Sequence, residues 1–137
     1  KITEKQWEKV QGQGVVVEAR KMRTETGIVV PAGRRVRIVP HPTDTWSVST
    51  YSGRHSCTWR GKKDISYYSS DILFGALVCA IGSNGAYQKP GVIVGGGQLY
   101  FGAYTGGTSF ANAGDYWYGT GTGEGKIRVK IVPVEDE

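Results

Sequence analysis

In Lys126-Ile127-Arg128-Val129-Lys130-Ile131 every second residue is apolar and each residue between is a cation. Side chains of a strand point alternately to its two faces, so this segment reads as a strand with one face buried and the other in water. On a helix the three apolar residues would not share a face. The same alternation returns in Arg35-Val36-Arg37-Ile38-Val39 and in Trp46-Ser47-Val48-Ser49-Thr50. Val15-Val16-Val17, Gly27-Ile28-Val29-Val30, Ile72 to Ile81, Gly91-Val92-Ile93-Val94 and Leu99 to Tyr104 add shorter or fully apolar runs. Turn formers separate them. Pro31-Ala32-Gly33 stops one run and Pro40-His41-Pro42 another, while Gly95-Gly96-Gly97 marks a turn or bulge. Ser83-Asn84-Gly85 is a tight-turn signal because Asn and Gly adopt positive φ at low cost. About seven to nine short strands with no amphipathic helix predict an all-β chain folded as a jelly-roll-like β-sandwich. Thr3 to Glu8 reads either as one helical turn or as a ragged end.

A chain of 137 residues fits one domain, with residues 1–12 an N-terminal extension or a cut linker. Its 21 glycines are about twice the usual ~7% share, and they lack a three-residue period, which excludes collagen. Three Phe, four Trp, eight Tyr and many Val and Ile argue against disorder. The longest apolar run, Ile72 to Ile81, falls short of the ~20 residues of a spanning helix. The first residue is Lys1 and not an initiator Met, so a removed leader or a domain upstream is as consistent as a fragment. Two cysteines make neither a disulfide scaffold nor a zinc site. Cys79, inside an apolar run, reads as a buried thiol, and a bridge to Cys57 stays open.

Catalytic groups are few. Two histidines and five aspartates are present, without a nucleophile elbow, a His-Glu-x-x-His pair or an Asp-rich metal loop. Gly119-Thr120-Gly121-Thr122-Gly123 precedes a strand, without the helix a dinucleotide loop requires, so turn glycines explain it. Nothing singles out a serine to join His55 and Asp64 or Asp115 in a triad. These observations point to a protein that is not an enzyme. With 17 Lys+Arg against 12 Asp+Glu, the net charge is +5. The cations cluster at Arg20/Lys21/Arg23, Arg34/Arg35/Arg37 and Arg60/Lys62/Lys63, but no nucleic-acid motif accompanies them. They read as solvated faces that discourage edge pairing, and nucleic acid is not the expected partner.

Two stretches break the alternation, Thr43 to Ser70 and Thr105 to Glu124, and both are rich in aromatics, Ser, Thr and Gly. Long loops on a rigid sandwich are where binding residues gather. Aromatic rings beside short polar side chains suit sugars, whose C–H faces stack while their hydroxyls hydrogen-bond. Trp46, Trp59, Tyr116 and Trp117 are stacking candidates, and His55, Asn112 and Asp115 are hydroxyl partners. Trp46 alternates with Val48 and reads equally as core.

Phe74-Gly75-Ala76-Leu77-Val78-Cys79-Ala80-Ile81-Gly82-Ser83-Asn84-Gly85 resembles the signature of the PA-IL-like bacterial lectins. The likeness extends upstream to Pro31 through Val39 with Trp46 following, and downstream to Gly114-Asp115 and Gly125 through Val129. It implies a calcium-dependent, galactose-binding β-sandwich of jelly-roll, galactose-binding-domain-like architecture. In that family the last long loop holds an Asp that binds both calcium and sugar, then a Thr, then adjacent asparagines. Asp115 matches the Asp, but Gly119 stands at the Thr and Thr122-Gly123 at the Asn pair. Calcium takes ~6–8 oxygens, and Asp115 with Thr122 and backbone carbonyls supplies a poor set. The family's other loop brings a His and a Gln to the sugar, and His55 is the nearby histidine.

The expectation is therefore a non-catalytic carbohydrate-binding module for galactose-type glycans, with little or no dependence on calcium. Asp115 accepts hydroxyls, Tyr116 or Trp117 stacks, Thr122 assists, and His55 or Trp46 walls the pocket. Asp115 is the one metal-ligand candidate. The alternative is a structural or accessory protein-interaction domain on the same scaffold, in which sugar and calcium binding are lost. The family resemblance also implies assembly into a homo-oligomer or larger complex. A glycan ligand points to an extracytoplasmic location.

Overall fold

A computed structural model describes residues 2–50, 53–63, 71–113 and 123–135. The elements are α1 (Glu4–Glu8), β1 (Gln13–Glu18), β2 (Thr24–Val30), β3 (Arg35–Pro40), β4 (Trp46–Thr50), β5 (Gly53–Cys57), β6 (Leu77–Ile81), β7 (Val92–Val94), β8 (Gly97–Ala103) and β9 (Glu124–Val134). A short 3-10 turn covers Phe110–Asn112. The nine strands form two antiparallel sheets, as the alternation predicts. The larger runs β5-β4-β9-β3-β7 with β1 also paired to β9, and the smaller runs β2-β8-β6.

The long strand β9 organises the larger sheet. It meets β1 from Gln13↔Ile131 to Glu18↔Lys126, β3 from Arg35↔Val134 to Pro40↔Val129, and β4 at Trp46↔Gly125. Residues opposite one another share a face. Val17, Val36, Ile38, Ile127, Val129 and Ile131 therefore all point inward, where they are buried, and Arg37, Lys126 and Arg128 point out. In the smaller sheet β6 and most of β8 are buried on both sides, which is why β6 is apolar throughout. Leu77, Cys79, Leu99 and Phe101 face the inter-sheet core. Val78, Ala80 and Tyr100 belong to a second cluster with Ile72, Tyr104 and Phe110, against which Tyr87 packs.

Two sequence expectations need correction. The stretch from Thr43 to Ser70 is not one loop: β4 and β5 form a hairpin in its first half, registered from Trp46↔Cys57 to Thr50↔Gly53. The strand expected from Ile72 to Ile81 begins only at Leu77, because Gly75 turns the chain with φ +81°. Cys57 and Cys79 are free buried thiols, pushed up to about 11 and about 12 by burial.

The opening residues form a helix and not a ragged end. Thr3 caps α1 by accepting the Gln6 N–H, and the Gln6 side chain accepts the Thr3 N–H in return. Trp7, 4% exposed, pins the helix to the outer face of the larger sheet. Its ring N–H donates to the Val39 carbonyl at 2.8 Å, and the Lys130 ammonium lies 4.2 Å from its ring centre. Lys130 also donates to the Trp7 carbonyl at 2.8 Å, and Thr43 donates to Glu4.

Beside this helix, Arg128 holds Asp44 through a bidentate pair at 2.8 and 2.9 Å, and the Arg128 backbone N–H adds a bond at 3.0 Å. These bonds keep the Asp44 carboxyl below the usual carboxylate range, although partial burial opposes them. A depressed folded-state pKa contributes stability that is present above the unfolded value, near ~3.9, and is lost as pH falls through the folded one. Urea midpoints measured between pH ~5 and ~2 are accordingly expected to fall less for Asp44→Asn than for the parent. Asn retains an acceptor for the Arg128 N–H but carries no titrating charge. Equal acid limbs would show that Asp44 contributes nothing to the pH dependence.

Candidate functional site

The second half of the first expected loop is linked to the start of the second through residues 72–77. Residues 58–63 run beside 72–77, with the Lys62 N–H donating to Phe74 and the Leu77 N–H to Trp59, both at 2.8 Å. Gly61, at φ +88°, makes this approach close, since a Cβ there would stand 2.9 Å from the Ala76 nitrogen. The Gly75 N–H then donates to Tyr104, and the Tyr104 N–H to Ala76, again at 2.8 Å. Through these two bonds the residue preceding the second loop stands beside the segment that follows the first.

Between residues 59–60, 71–77 and 89–90 lies a groove of about 290 Å³. Trp59 is half-buried against the inter-sheet core. The Arg60 guanidinium lies 4.5 Å from its ring centre. Ile72, Leu73, Ala76 and Leu77 give the groove an apolar floor, and Pro90 continues it. On the rim the Lys89 ammonium stands 3.1 Å from the Asp71 carboxylate, with both side chains well exposed. Solvent makes such a pair weak, so its members are available to a ligand. The site therefore offers an indole, an apolar floor, one carboxylate and two cations. That set can pack against a ring's C–H face and hydrogen-bond its hydroxyls.

The expected site residues fare differently. Trp46 is 2% exposed and donates its ring N–H to the Gly75 carbonyl at 2.8 Å, so it belongs to the core and presents no face to a ligand. His55 sits half-buried on β5 opposite Val48, and it does not line the Trp59 groove. Asn112 is engaged locally. Its side-chain oxygen accepts the Thr108 and Ser109 N–H groups at 3.0 and 2.8 Å, and its amide donates to the Thr108 hydroxyl. Asp115, Tyr116, Trp117 and Thr122 lie outside the described residues. Arg60, Asp71 and Lys89 were not singled out as ligand contacts by the sequence pattern. Lys89 reaches the groove because Gln88 bridges to Cys79, a pairing with no local sequence signal.

Among the described residues no group of three His, Cys, Asp or Glu side chains could hold a metal ion. One of the chain's two asparagines, Asn112, has its carbonyl oxygen committed to backbone donors. The calcium-ligand candidates Asp115 and Thr122 lie outside the described residues.

No family model matches the chain, and no curated protein sequence matches it at a significant level. Among solved structures it is similar to an EclA N-terminal domain, a PllA-like lectin, at 17% identity and a TM-score of 0.52. The alignment covers 88% of this chain and 95% of that one. At this identity the likeness is one of fold, and the lectin-like β-sandwich expected from the strand signature is the fold found.

Proposed function

We propose that this lectin-like sandwich is a non-catalytic carbohydrate-binding module, with galactose-type glycans as its favoured ligands. The observation that carries the reading is the backbone pairing of Gly75 and Ala76 with Tyr104, which joins the segment following the first expected loop to the residue preceding the second. The Trp59 groove opens at the base of the first loop, and Asp71 on its rim directly follows residues 64–70. In this reading Asp115 accepts hydroxyl hydrogen bonds and Tyr116 or Trp117 stacks on the sugar. Thr122 and His55 contribute at the periphery, and Trp59 extends the apolar surface. In this reading Asp115 and Thr122 with backbone carbonyls make a poor calcium set, so sugar binding depends little on the ion.

The test is thermal melting and tryptophan fluorescence titrated with galactose, in calcium and again in excess chelator. A ligand at 100 times its Kd stabilises the folded state by ~2.7 kcal/mol, enough to raise Tm by several degrees. The expected result is a saturable rise that persists in chelator, disappears in Asp115→Ala and weakens several-fold in Trp59→Ala. A flat response to galactose removes the galactose preference. A flat response across a glycan array as well removes carbohydrate binding, and the interaction-domain alternative then takes its place.

A further inference from the structure

The two sheets part at the far end of the smaller sheet from the Trp59 groove. Strands β6 and β8 run from Leu77↔Ala103, beside that groove, to Ile81↔Leu99, and β2 meets β8 beyond this at Val30↔Gly97. There a groove of about 530 Å³ enters the sandwich, within the roughly 300–1,000 Å³ of small-molecule sites. Its floor is the edge of the core: Val30, Val36 and Ile131, at 2%, 8% and 4% exposure. Ile28 and Pro133 form its walls, and Arg34 stands on its rim.

We infer that this groove binds a free amphipathic anion, its hydrocarbon body on Val30, Val36 and Ile131 and its carboxylate on the Arg34 guanidinium. Arg34 is exposed and forms no ion pair among the described residues, and Arg35 lines the same rim. A guanidinium meets a carboxylate with two parallel hydrogen bonds, and its weak hydration suits it to the edge of an apolar surface. The rim is also fixed in advance. The Arg34 N–H donates to Pro31 at 3.0 Å, the Gly95 N–H to Arg34 at 2.6 Å, and the Gly96 N–H to Val30 at 2.8 Å. Gly95 passes so near that a Cβ would lie 2.3 Å from the Pro31 carbonyl oxygen. A turn held at three points loses little freedom when a ligand arrives.

Charge and shape separate this occupant from others. A two-fold contact between copies of a +5 chain would set this arginine-bearing rim against its own copy. A neutral sugar would leave its hydroxyls unpaired against the apolar floor. A concave groove admits a single chain, whereas a bilayer surface does not follow it. The inference is independent of sugar binding, which is proposed for the opposite end.

Decanoate, below its micelle concentration, is the probe, titrated into the full chain and read by amide chemical shifts. The expected result is saturable binding, with shifts confined to Gln13 and residues 28–36 and 131–134. Butyrate and neutral octanol should bind at least tenfold more weakly. Arg34→Glu should lower decanoate affinity at least tenfold while leaving Tm within about 3 °C, since the side chain is exposed. Galactose should leave these shifts unmoved. Equal decanoate affinity in Arg34→Glu, octanol binding as tight as decanoate, or shifts elsewhere would each overturn the inference. Adsorption to phosphatidylglycerol vesicles without monomeric decanoate binding would assign the face to a membrane, and concentration-dependent dimerisation blocking decanoate would assign it to a second copy. Either result overturns it too.

Discussion

Trp46→Ala is expected to lower the free energy of unfolding by about 3–5 kcal/mol, as large-to-small changes of fully buried aromatics do. The ring lies between the sheets at 2% exposure, packed within the inter-sheet core. A second substitution separates packing from polarity. Trp46→Phe keeps most of the volume but removes the donor to the Gly75 carbonyl, which then has, among the described residues, the weak Cys57 thiol 3.6 Å away. A buried carbonyl deprived of its donor costs about 1–3 kcal/mol. Denaturant midpoints of the two variants, with m-values unchanged, check both figures. Because the ring offers no face to a ligand, the folded Trp46→Phe protein is expected to retain parental affinity for any sugar the parent binds. A selective loss of sugar affinity with stability intact would return Trp46 to the binding surface.

The second large effect is at Gly75. Its φ of +81° lies in the left-handed region, which costs an L-residue about 1–2 kcal/mol. A Cβ there would also stand 2.9 Å from the Val48 side chain and 3.0 Å from the Cys57 sulfur, an overpacking that adds about 1–3 kcal/mol. Gly75→Ala should therefore lose roughly 2–5 kcal/mol by denaturant unfolding. It should also disturb the adjoining groove, since the same residue bonds to Tyr104. Gly82→Ala is the matched control. Its φ is nearly the same, +82°, but a Cβ there meets nothing within 4 Å, so only the conformational cost of about 1–2 kcal/mol remains. Similar losses at the two positions would show that crowding at Gly75 is relieved by movement of its neighbours.

Much of the sandwich was legible because its signals are local. Alternation at Ile127, Val129 and Ile131 and at Val36 and Ile38 marked inward faces, and the turn at Pro31-Ala32-Gly33 fell where expected, with Gly33 at φ +79°. β5 was missed because Gly53-Arg54-His55-Ser56-Cys57 buries only its last residue. As an edge strand it is held through its backbone pairing to β4, which leaves no hydrophobic period to read. The capping pair Thr3 and Gln6 was present in the sequence, but a five-residue helix with a single buried side chain has no periodicity to support it. The site was harder for the same reason. Trp46 carried two readings because its deciding partner lies 29 residues away. The Trp59 groove is assembled from three separate segments, and the register that joins them is a property of the sheet and not of any one segment.

The central place of β9 also bears on the order in which the molecule can form. Strand β1 begins at Gln13 and its partner Ile131 is more than a hundred residues later, while β3 and β4 wait for the same strand. The smaller sheet, by contrast, is closed by Ala103. On a ribosome adding ~5–20 residues per second, the chain therefore spends its synthesis with three strands of the larger sheet lacking their common neighbour. Contacts so distant in sequence also slow folding, because loop closure must precede any reward from pairing. Until β9 emerges, the inward valines of β1 and β3 are the surface most in need of protection from other nascent chains.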